Sequence, residues 1–75
     1  MRKKYLYTFG VIAETSHGTE YVPRIGNYVL PDYGIGIAIN SIAEIIHRAP
    51  CDIFIDAIND VELEKPTGLY GKWYR

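Results

Sequence analysis

His47 and Cys51 stand four residues apart, a spacing that could give a cysteine nucleophile an imidazole base. A reactive thiolate needs an electropositive, partly exposed setting. Cys51 instead opens the alternation Cys51, Ile53, Ile55, Ala57, where a free cysteine behaves as a small buried hydrophobe. It is expected inside the core, and inert. Paired carboxylates are the second chemistry on offer, because Asp52 and Asp56 fall on the same side of an alternating segment with Asp60 beyond them. General acid–base work requires a pocket that desolvates such groups, and a chain this short buries one modest core. The three aspartates read better as a solvated acidic edge that keeps strands from aggregating. His17 and His47 are far apart, and neither has a second ligand at helical or hairpin spacing. Gly34-Ile35-Gly36 lacks the third glycine, the lysine and the preceding strand of a phosphate-binding loop. The expectation is a protein that is not an enzyme, with no metal and no cofactor.

Composition narrows the classes further. The chain has 75 residues, 48% apolar and 23% charged, which is globular rather than disordered. Eight basic against nine acidic residues give a net charge of −1, which argues against a dedicated electrostatic DNA binder. A single cysteine excludes an internal disulfide. No apolar run approaches the roughly 18 residues of a membrane span, and Met1-Arg2-Lys3-Lys4 precedes too short an apolar stretch for a signal peptide. A single cytoplasmic domain over residues 1–75 is expected, with a basic start (1–3) and an aromatic tail (65–75).

The elements that would position these residues are marked out by glycine and proline. Residues 4–13 alternate and are rich in β-branched and aromatic types, which predicts a strand. Residues 14–18 supply a hairpin loop, and residues 19–25 a returning strand, with Pro23 at an edge or a bulge. Gly26-Asn27 reads as a second turn, before a short extended continuation over 28–30. Ile35, Ile39, Ile42, Ile46 and Ala49 recur at helical spacing, predicting a helix over residues 32–49 capped by Asp32. A rival parse makes residues 33–39 a strand and restarts the helix at Ser41. Residues 51–58 form a further strand; beyond Asn59-Asp60, residues 61–64 either extend it past a bulge or form a short fourth strand. The predicted fold is α+β: a three- or four-stranded, mainly antiparallel sheet in β-β-α-β order with one helix on one face.

One helix covers one face, so the other needs explaining. The helix-facing set is assigned as Leu6, Thr8, Gly10, Ile12 with Cys51, Ile53, Ile55 and Ala57. That leaves Tyr5, Tyr7, Phe9, Val11, Phe54 and Ile58 as an open aromatic face, which a monomer seldom leaves bare. The tail could fold over it, a second copy could pair with it in a homodimer, or a partner could cover it. Single-stranded nucleic acid stacked on Tyr5, Tyr7, Phe9 and Phe54 is the alternative partner. The favoured partner is a protein, because Tyr70, Trp73, Tyr74 and Arg75 are the residue types of interface hot spots. Asp52, Asp56 and Asp60 would then suit a basic surface on it.

In size and in the order of hairpin, helix and strand, the whole chain resembles the small accessory proteins of phages and other mobile elements. Inhibitors of bacterial defence systems, anti-CRISPR proteins among them, belong to that group. The resemblance implies a protein without catalytic machinery that acts by occupying a surface of a host complex.

Overall fold

In the computed structural model, which describes residues 3–71, the chain runs β1 (Tyr5–Thr15), β2 (Gly18–Leu30), α1 (Ile35–Ile46), a 3-10 turn (Pro50–Asp52), β3 (Ile53–Ile58), β4 (Val61–Thr67) and a closing 3-10 turn (Leu69–Gly71). The strands form an antiparallel sheet in the order β2-β1-β3-β4, and α1 packs on one face of it. This is the expected α+β architecture with a fourth strand, so the order is β-β-α-β-β. The addition comes from Asn59-Asp60, which is a hairpin turn rather than an interruption. Both residues have positive φ, 52° and 63°, as a two-residue loop requires to match the twist of its strands. Ile58 and Val61 pair directly across it.

β2 is one strand where the sequence suggested two pieces. Gly26 and Asn27 make no turn; they pair with Phe9 and Thr8 in the ladder. The irregularity lies earlier, where the register jumps from Phe9↔Gly26 to Val11↔Val22. Pro23, Arg24 and Ile25 therefore face Gly10 alone, and Arg24 takes a positive φ of 51°. Pro23 thus sits both on an edge strand and in a bulge, where its missing donor costs no ladder bond.

The core lies between α1 and the sheet face that carries Tyr7, Phe9 and Val11, joined by Ile53 and Ile55. Sequence alternation assigned that β1 row to the open face. The correction has a steric cause: both rows of β1 are apolar enough to bury, so volume decides between them. α1 presents Ala38 and Ala43 beside Ile39 and Ile42, leaving room beneath it for two aromatic rings at native packing density. Ile53 and Ile55 lie under the helix as expected, but a bulge at Asp56 shifts the pairing from Phe9↔Ile55 to Thr8↔Ala57. Ile58 consequently packs against the core instead of the open face.

On the far face, β2 does part of a helix's work. Gly10 was assigned to the helix-facing row; it lies on the far face and admits β2 instead. A Cβ there would lie 2.5 Å from both the Tyr21 hydroxyl and the Val22 carbonyl. The Tyr21 and Phe54 rings meet edge to face at 5.6 Å, and Phe54 and Asp56 are buried although no helix covers them.

α1 is shorter than predicted at both ends, and the strand parse of residues 33–39 does not hold. The helix is preceded by Gly34 at φ 150°, a conformation side chains disfavour, and no side chain caps it; Asp32 does not serve. It stops where His47 turns left-handed (φ 58°) and its N–H returns to the Ala43 carbonyl. Cys51 then falls in the 3-10 turn and is exposed, not buried on β3 as expected. No helix among the described residues is long and apolar enough to cross a membrane.

Gly10→Ala tests the closeness of β2. We expect a loss of about 1–3 kcal/mol from overpacking, read as a lower urea midpoint at unchanged slope. An unchanged midpoint would mean that β2 lifts off Gly10 at no cost.

Candidate protein-binding surface

Tyr7 is fully buried under α1, yet its hydroxyl both donates and accepts a hydrogen bond. It donates to the Asp32 carbonyl (2.9 Å) and accepts from the Gly34 N–H (3.0 Å). These two peptide groups flank Tyr33. The loop between β2 and α1 is thus held on both sides of one residue by a side chain rooted in the core, and the Gly34 carbonyl starts the helix by accepting from Ala38 N–H at 2.9 Å.

Tyr33 itself is 66% exposed. Its ring meets the edge of Tyr5 at 5.1 Å. In the first turn of α1, Ile37 is 53% exposed, and its side chain passes 3.6 Å from where a Cβ on Gly34 would lie. Tyr5, Tyr33 and Ile37 therefore gather at the N-terminal end of the helix. Ile35 also shares a groove of about 300 Å³ with Leu63, Glu64, Lys65 and Thr67, so β4 ends at that same end of α1. Leu69, two residues on, packs against the core from the helix side.

The sequence-predicted residues divide sharply. Tyr70 lies in the closing 3-10 turn, while Trp73, Tyr74 and Arg75 lie outside the described residues. Of the aspartates, Asp52 is half-buried in the turn before β3, Asp60 is exposed in the turn after it, and Asp56 between them is 5% exposed. Asp56 was expected on the solvated edge, but it is buried and engaged within the chain. Its carboxylate accepts a short hydrogen bond from the Tyr21 hydroxyl and another from the Arg24 N–H at 2.8 Å. The expected acidic stripe is broken at its middle, and with it the case for a basic partner. The nucleic-acid alternative also loses its platform: Tyr7, Phe9 and Phe54 are buried, and of the four named aromatics Tyr5 alone is partly open. The β1 row that was thought to need a cover faces the core, and Phe54, on the opposite face, lies against Tyr21.

Asp56 organises the β2 bulge. It holds Tyr21 and the Arg24 backbone over the sheet, and the Arg24 guanidinium reaches Glu62 on β4 at 3.5 Å. That outer pair is exposed and contributes little; the buried carboxylate matters more. Burial first, then the hydrogen bond to Asp56 and its charge, push the Tyr21 phenol well above its ordinary range.

Sequence reasoning missed Tyr33 and Tyr21. Tyr33 was absorbed into the helix by the isoleucine stripe, although Pro31, Gly34 and Gly36 around it are loop signals. Tyr21 had no local signal, because its partner lies 35 residues away. The chain matches no family model, no curated protein and no solved structure.

Two outcomes follow from these contacts. Tyr7→Phe keeps the ring but strips both peptide partners, and should cost about 1–3 kcal/mol while speeding amide exchange at Gly34. Unchanged exchange there would show that the loop is held by other means. For Tyr21, the folded state favours the neutral phenol, whereas the unfolded chain ionises near pH 10. Its contribution is complete below about pH 10 and declines as pH rises towards the raised folded value. In an absorbance titration at ~295 nm, Tyr21→Phe should delete the last-ionising component, the one that coincides with unfolding. Ionisation of Tyr21 near pH 10 in a still-folded chain would contradict this.

Proposed function

We infer that this chain is a non-enzymatic protein-binding module that occupies a surface of a larger protein complex. The observation that carries the reading is Tyr33, an exposed aromatic whose backbone is fixed on both sides by a buried hydroxyl. Exposed aromatics on mobile loops lose conformational freedom when they bind; a clamped one has already lost it. Tyr and Trp also dominate interface hot spots. Ile37, exposed and close to Gly34, supplies an apolar rim, and Tyr70, Trp73, Tyr74 and Arg75 are of the same interface-prone types. The mode is that of the phage and mobile-element inhibitors the chain resembles, and the target would be a bacterial defence complex in the host cytoplasm.

The test is capture from a bacterial lysate, with and without nuclease, using the wild type and Tyr33→Ala. A defined protein complex should survive nuclease and be lost with the variant, because removing a hot-spot aromatic weakens binding by about 2 kcal/mol or more, some thirtyfold. If nucleic acid alone is retained, and salt releases it steeply, the reading is wrong. It is equally wrong if Tyr33→Ala captures the same complex as well as the wild type does.

A further inference from the structure

Leu6 directs both its main-chain groups towards the β3 side of the sheet: its N–H donates to Asn59 Oδ1 (2.9 Å) and its carbonyl accepts from Asn59 N–H (2.7 Å). Main-chain groups change sides at each residue of an antiparallel strand. Tyr5, Tyr7 and Phe9 therefore address β2, and their partners Leu30, Tyr28 and Gly26 point back at them. Asn27 and Val29 lie between those partners, so their N–H and C=O groups aim outward from the sheet. Among the described residues no strand pairs with that outer edge.

The two outer edges differ in how they are guarded. β4 carries Glu62, Glu64, Lys65 and Pro66, the charges and proline that keep edges apart. β2 has Pro23 and its bulge, but these protect only its first half. Residues 25–30, Ile-Gly-Asn-Tyr-Val-Leu, hold no charge and no proline. Val29 is 56% exposed there.

We propose that two copies of this chain pair through residues 26–30 of β2, antiparallel about a two-fold axis at Tyr28, forming one continuous sheet of eight strands. The axis stands perpendicular to the sheet, so one residue must face itself. With Tyr28 at the axis, each Asn27 meets Val29 of the other copy, and the two rings close four main-chain hydrogen bonds. Moving the axis to Val29 sets Asn27 against Pro31, which has no N–H. Moving it to Asn27 sets Val29 against Ile25 in the bulge. The register is thereby selected. Tyr28 already stacks on Phe9 at 5.7 Å and 13°; at the axis its ring meets its own copy on the helix face. Directly opposed residues without mutual hydrogen bonds bring their side chains closest.

This pairing leaves Tyr33 untouched and stands apart from the function proposed above. Sedimentation at several concentrations should give a species of twice 8.6 kDa for the wild type. Val29→Pro removes one outward N–H and no bond to β1; it should keep its circular dichroism and sediment at 8.6 kDa. N27K/V29K sets four lysines around the axis and should also be monomeric. N27D/V29K sets a carboxylate against an amine twice and should restore the dimer. A wild type of 8.6 kDa at every concentration overturns the proposal, as does N27K/V29K persisting as a dimer. Failure of N27D/V29K to dimerise overturns the register.

Discussion

The hydroxyl of Tyr7 is the contact on which the arrangement turns. Burying a phenol without partners costs on the order of 2–7 kcal/mol. Tyr7 can lie under α1 because the loop before the helix offers it one carbonyl and one N–H. The dependence is mutual. The loop lacks a capping side chain, and Gly34 enters the helix at φ 150°; the Tyr7 oxygen is what fixes the last peptides before the first turn. Once Tyr7 faces the helix, Phe9 and Val11 must follow, and the whole face of β1 is assigned.

The opposite face is closed by a different device of the same kind. Among the described residues one α-helix serves the two faces of the sheet, and a bare sheet face of Phe54 and Leu6 would expose an apolar surface. β2 is therefore made longer than its partner requires and folded at Pro23–Ile25 so that Tyr21 lies across Gly10 and Phe54. A buried carboxylate holds the fold in place. Asp56 has two donors, Tyr21 and the Arg24 N–H, and so meets the condition under which a buried charge is tolerated. Arg24 sits at positive φ, a strained position for a side chain, and it is there that Asp56 binds the backbone. Two polar staples, one on each face, thus hold what a larger core would hold in a longer chain.

Much of the fold was legible in the sequence, and the failures have identifiable causes. Most of the strand expected over residues 51–58, the apolar stripe of the helix and the place of Pro23 at an edge or a bulge could all be read from periodicity and propensity, because these are local properties. The β1 face could not. Tyr5, Tyr7, Phe9, Val11 and Leu6, Thr8, Gly10, Ile12 are both plausible core rows, and the choice depends on the alanines of a helix nearly 30 residues away. That single inversion moved Tyr7 and Phe9 from binding candidates to the core under the helix, whereas Phe54 stayed on the far face and is covered there by Tyr21. Cys51 and Asp56 failed for a related reason. Alternation was extended through a 3-10 turn in the first case. In the second, it was extended past a residue whose partners are 32 and 35 positions away. Asn59-Asp60 was visible as punctuation, but its two positive φ values decide that it is a turn.

Exposure of apolar side chains is uninformative taken one residue at a time, and Val61, at 68%, is a case of it. What separates Tyr33 and Val29 from Val61 is the backbone beneath them. Val61 ends a hairpin turn, with β4's charges directly following. The peptides on either side of Tyr33 are tied to the core through the Asp32 carbonyl and the Gly34 N–H, so the ring is presented on a rigid base. Around Val29 the main chain has polar groups that point at nothing in the sheet, and an unpaired row of donors and acceptors is itself a template for a strand. A rigid ring favours a side-chain anchor in another protein; an uncharged, unpaired edge favours backbone pairing. The same short chain thus carries two surfaces of different chemistry, placed on either side of the Pro31–Asp32 corner where β2 gives way to the helix.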